Sequence, residues 1–166
     1  MNTAFDNDDN DDNDDNMRDL YRELILDHAR NPRHFGKLDD ATHCADGINP
    51  LCGDKLRLYL RVNEDQSIAA AGFEGSGCAI SVASASLLTD LIIGLPSSQA
   101  RNYYSAVMQR LSTPDTIDAE PDSIDLGKLK ALDGVREYPS RVKCATLAWH
   151  AMNSALNNQS TPVSTE

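Results

Sequence analysis

A single α+β domain is predicted by three features of the 166-residue sequence. A helical stripe comes first, an alternating apolar run with a returning partner follows it, and further helical stripes complete the chain. A chain of this length can bury one substantial core.

The first stripe is Leu20, Tyr21, Leu24, Ile25 and His28, which share one face of a helix over residues 17–30. Asn16 is placed to cap that helix and Pro32 to stop it. "NPRHFGKLDDATHCADGINP" reads as a long polar loop, with a poorly patterned third strand somewhere in residues 40–50. In "KLRLYLRVN", Leu56, Leu58, Leu60 and Val62 alternate with Lys55, Arg57, Tyr59, Arg61 and Asn63, the pattern of a half-buried strand. Glu64, Asp65 and Gln66 suit a turn, and "SIAAAGFE" returns as the second strand of a hairpin. Residues 79–93 predict a helix with Ile80, Ala83, Leu87, Leu88, Leu91 and Ile92 inward, ended by Gly94 and Pro96. Another helix covers residues 98–111 through Tyr103, Tyr104, Val107, Met108 and Leu111. Residues 112–127 are acidic and proline-punctuated, hence a loop, and residues 128–132 a short helix. Pro139 suits the first turn of a last helix that runs to about residue 156 through Ala145, Trp149 and Met152.

The ends look different. "MNTAFDNDDNDDNDDN" has seven aspartates and no base, so residues 1–16 are expected to form a disordered acidic tail. The folded domain is expected over residues 17–157, with residues 158–166 fraying. The chain shows no secretory signal and no apolar run long enough to cross a bilayer, so a cytoplasmic protein without a membrane partner is expected. Seven units of the −11 net charge lie in the tail, leaving −4 on the body. Such a body lacks the basic face that nucleic-acid phosphates require.

Four cysteines occur, Cys44, Cys52, Cys78 and Cys144, with no CxxC pair. In a reducing compartment they are not expected to form disulfides, which leaves metal binding, catalysis or burial. Cys78 follows "FEGSG" and opens a helix, where the positive end of the dipole favours a thiolate. Cys144 sits one turn into the last helix with Arg141 and Lys143 nearby, charges that favour a thiolate there too. Cys52 and Asp54 open the first clear strand, where residues i and i+2 share a face, and Gly53 lets both converge. Each of these residues alone is equally consistent with a small buried side chain or a turn former. Together, three thiolates and a carboxylate make a tetrahedral zinc set, and three thiolates also suit an iron–sulfur cluster.

The segments "NPRHFG", "NPLCGDKLRLYL", "GFEGSGCAISVASASLLTD" and "RVKCATLAWHAM" resemble the IscU/NifU-like family of iron–sulfur cluster assembly proteins over residues 17–157. The motif "GSGCAISVASAS", extra residues at roughly 112–135, and Lys143 where scaffold members carry histidine point to its SufU branch. The resemblance implies an α+β fold with a small three-stranded antiparallel sheet packed against about five helices. It implies that Cys52, Asp54, Cys78 and Cys144 bind one Zn2+. It further implies that Cys52 accepts sulfur from a SufS-type cysteine desulfurase, that Arg141 supports the site, and that downstream Suf cluster-assembly machinery takes over. Cys44 matches no ligand. The alternative is a scaffold that assembles a 2Fe–2S cluster on the same four ligands, with Asp54 as the weak one. Lys143 in place of a histidine favours zinc.

Overall fold

The computed structural model describes residues 8–112, 125–159 and 162–165. The chain order is α1 (Asp8–Arg30), β1 (His43–Asn49), β2 (Asp54–Val62), β3 (Ile68–Ser76), α2 (Ala79–Ile92), α3 (Ser97–Ser112), a 3-10 helix (Gly127–Val135), α4 (Pro139–Leu156) and β4 (Val163–Ser164). This is the expected α+β architecture with its helices behind one sheet.

β2 forms where the alternation lies. Leu56, Leu58 and Leu60 are buried on the inner face, while Lys55 and Arg57 are exposed. Tyr59 departs from that pattern. It lies on the outer face yet is only 4% exposed, and its hydroxyl donates to Glu74. The expected loop after α1 accounts for part of this cover. His34 O accepts from Phe73 N–H and Phe73 O from Gly36 N–H, so the "NPRHFG" segment docks along β3. The Phe35 and Phe73 rings meet edge-on at 5.3 Å.

The sheet order is β3-β2-β1-β4. β1 and β3 flank β2 antiparallel, whereas β4 lies parallel to β1, with Gly47 opposite Val163 and Ile48 opposite Ser164. The sheet is therefore mixed and four-stranded, not three-stranded and antiparallel. The segment expected to fray supplies the extra strand, because β1 is an edge whose amides and carbonyls need partners. Thr165 N–H donates to Ile48 O at 3.1 Å. At the other end, α1 starts at Asp8 instead of at an Asn16 cap, so residues 8–16 continue the helix. Residues 1–7 of the expected tail lie outside the described residues, as does most of the expected acidic loop at 112–127.

Two polar links fix the helices that matter below. Ser84 of α2 donates to Ala145 O of α4 at 2.5 Å and accepts from Trp149 Nε1 at 3.2 Å, all fully buried. Ser86 of α2 bonds His28 Nδ1 at 2.7 Å and accepts Arg33 N–H at 2.8 Å, tying α1 to α2. No helix among the described residues is long and apolar enough to cross a membrane.

Candidate metal centre

One end of the sheet gathers the residues singled out above. β1 and β2 are joined by the short turn at residues 50–53, and Asn49 pairs with Asp54 across its base. Gly53 adopts φ +70, a left-handed conformation that glycine takes without strain. Cys52 and Asp54 therefore converge through a turn, and not through the shared face of an extended strand as the spacing suggested. Cys52 is exposed, and Asp54 is wholly buried.

Cys144 arrives from α4 and is 1% exposed. Its sulfur lies 3.2 Å from that of Cys52. The ligand atoms of Cys52, Asp54 and Cys144 all lie within 4.8 Å of one another. Cys78 comes from the junction of β3 and α2, where its extended backbone (φ −69, ψ 165) caps the helix. Its N–H donates to Asp54 Oδ1 at 2.8 Å, and its sulfur lies 3.9 Å from Asp54 Oδ2. Gly77 makes this approach possible, since a Cβ there would meet Asp54 Oδ1 at 2.6 Å.

Zinc with bonds of about 2.3 Å to sulfur and 2.0 Å to oxygen needs tetrahedral edges of about 3.8 Å between sulfurs and 3.5 Å from sulfur to oxygen. The Cys52–Cys144 sulfurs, at 3.2 Å, lie closer than the first value, and the Cys78 sulfur, 3.9 Å from Asp54 Oδ2, lies farther than the second. The Cys144 thiol is pushed far above its ordinary range by burial first, then by its neighbours Cys52, Asp54 and Cys78. Cys52, Asp54 and Cys144 form one close group, and the Cys78 sulfur stands beside Asp54, a donor set of the chemistry that holds a tetrahedral metal ion. The expectation that Arg141 and Lys143 favour a Cys144 thiolate is corrected by burial and crowding, which dominate here. Arg141 is exposed, and its guanidinium lies 5.9 Å from the centre of the Tyr138 ring. Cys44 faces outward opposite Tyr59, far down β1 from this pole.

A family model described as the NifU-like N terminal domain matches residues 20–158. The chain belongs to that family. Its three cysteine motifs lie within the matched span, and the resemblance to the SufU branch holds. The zinc-dependent sulfurtransferase SufU of Bacillus subtilis (strain 168) is 42% identical over 137 residues, covering 82% of this chain and 89% of that protein. The iron–sulfur cluster assembly scaffold protein IscU of Thermotoga maritima is 40% identical over 146 residues, covering 86% and 96%. A crystal structure of FiSufU from the thermophile Fervidobacterium islandicum AW-1, put forward as a cluster assembly scaffold protein for the SUF system, matches with a TM-score of 0.73. It is 33% identical and covers 81% of this chain and 94% of that one.

One residue of this NifU-like site had been passed over in the sequence. Asn49 is wholly buried, and its Nδ2 lies 3.3 Å from Asp54 Oδ2 and 3.2 Å from Cys144 Sγ. In "GINPLCGD" an asparagine before proline reads as turn punctuation. Only the pairing of β1 with β2 sets it beside the thiol of a distant helix.

Proposed function

We propose that this chain serves iron–sulfur cluster assembly as a zinc-dependent sulfur acceptor for a SufS-type cysteine desulfurase, in the cytoplasm, where thiols stay reduced. Cys52, Asp54, Cys78 and Cys144 are the zinc ligands and Cys52 is the acceptor. The observation that carries this reading is the meeting of thiols and a buried carboxylate at one pole, a cluster that among the described residues includes no histidine. The name of the 42% identical relative supports it.

A zinc ion held there keeps its thiolate ligands deprotonated at neutral pH and brings no redox chemistry of its own. The chain supplies the rest. Cys52 is the exposed cysteine of the pole and rides on the Gly53 turn, so it can meet a partner, while Cys144 is locked in the core. Its thiolate attacks the outer sulfur of the desulfurase persulfide. The sulfur–sulfur bond breaks, its electron pair leaves on the desulfurase cysteine as a thiolate, and Cys52 becomes the persulfide, with no net gain or loss of electrons. Arg141, at the start of α4, offsets the negative charge of the site. Leu51 and Tyr138, 60% and 54% exposed, provide apolar surface for a docked partner.

The test compares wild type with Cys52→Ala in an assay of desulfurase turnover. Stimulation is expected to vanish in the variant, and undiminished stimulation overturns the reading. The 40% identity to an IscU scaffold favours the second reading, a 2Fe–2S cluster built on the same ligands. Iron and sulfide in the purified protein would support that one.

A further inference from the structure

Two of the sulfurs at the pole touch each other, yet only one is held. Asn49 has two amide hydrogens to give. Its Nδ2 stands 3.2 Å from Cys144 Sγ and 3.3 Å from Asp54 Oδ2. The second oxygen of Asp54 takes the Cys78 N–H at 2.8 Å. Cys52 receives no N–H or O–H hydrogen bond among the described residues, and it is exposed. The amide can face only one way, because turning its oxygen toward a thiolate and a carboxylate would set acceptors against acceptors.

That orientation leaves Asn49 Oδ1 buried without a partner. An orphaned buried acceptor costs about 1–3 kcal/mol. Against that cost stand the two hydrogen bonds its Nδ2 group gives to Asp54 and Cys144, which a valine or leucine could not make. The β1–β4 register continues to place Thr165 beside Asn49, and the Thr165 hydroxyl is likewise buried and unpaired.

We infer that Asn49 is the positioning residue that sorts the ligands. Its two N–H groups hold Cys144 and Asp54 in place as ligands and draw electron density from the Cys144 sulfur, which leaves Cys52 as the more nucleophilic thiolate. The inference rests on the ligand set proposed above. A donor to a metal-bound thiolate lowers the energy of the sulfur lone pair, and ligand-orienting partners of this kind typically carry 10–100-fold in metal affinity.

The test uses the whole chain loaded with Co2+ in place of Zn2+, with Asn49→Leu to fill the volume and Asn49→Ala to remove the amide without a clash. Circular dichroism identifies the folded variants. The thiolate-to-cobalt charge-transfer band is expected to move to longer wavelength, and zinc affinity measured by chelator competition to fall by roughly 10–100-fold. A merely structural asparagine would leave that band in place. A folded variant with unchanged band and affinity overturns the role of Asn49 while leaving the ligand set intact. A wild-type protein that takes up neither zinc nor cobalt overturns the ligand set, and this inference with it.

Discussion

Gly77→Ala tests whether the pole is built as described without replacing any proposed ligand. The new Cβ would lie 2.6 Å from Asp54 Oδ1, 3.1 Å from its Cγ and 3.2 Å from its Cβ, where ordinary contact begins at 3.4 Å. Relief therefore takes a shift of about 0.8 Å, the gap between 3.4 and 2.6 Å. Asp54 cannot simply swing aside, because it is wholly buried and its oxygens engage Cys78 N–H at 2.8 Å and Asn49 Nδ2 at 3.3 Å. Moving the loop instead stretches the Cys78 bond to about 3.6 Å, beyond hydrogen-bonding reach. A hydrogen bond to a charged acceptor contributes about 2 kcal/mol, so zinc affinity should fall roughly thirtyfold. Chelator competition measures this, with Gly134→Ala as the control, since a Cβ there meets nothing within 4 Å. A folded Gly77→Ala protein that binds zinc within about threefold of wild type would refute the reasoning.

Ser84→Ala leaves Trp149 Nε1 and Ala145 O without their buried partner, so denaturant unfolding should show a loss of about 1–3 kcal/mol; a loss under 0.5 would contradict the link. His28 is buried against Ser86, and its pKa is lowered, chiefly by burial and next by Arg33, with Asp27 and Asp90 opposing and Lys128 adding a little. The unfolded chain therefore takes up the proton first, and stability is lost as pH falls below about 6.5 toward the depressed folded value. Melting curves across that range should show the gap between wild type and His28→Gln narrowing on acidification, and parallel profiles would contradict this.

β2 was legible because period-two alternation belongs to one kind of element, and Leu56, Leu58 and Leu60 fall where that period puts them. α2 and α4 were legible from their stripes and stops. β4 was not, since two residues carry no period, and Val163–Ser164 forms only because β1 offers an open edge. Tyr59 was misread as solvent-facing, since alternation cannot register a loop folding over the second face. The ligand candidates could be picked out because each cysteine stands at an element end. The protonation of Cys144 could not, for it answers to burial and to three neighbours from remote segments, and not to the nearby Arg141 and Lys143 in sequence. Asn49 stayed hidden for the same reason, its two partners being five and 95 residues away.

Metal content decides the central claim most directly. Elemental analysis of the native chain, alongside Cys144→Ala and Asp54→Ala, should find one zinc per chain in a colourless wild-type protein and markedly less in both variants. Wild-type protein that comes out brown with iron and acid-labile sulfide, or variants that keep a full equivalent of zinc, would contradict it.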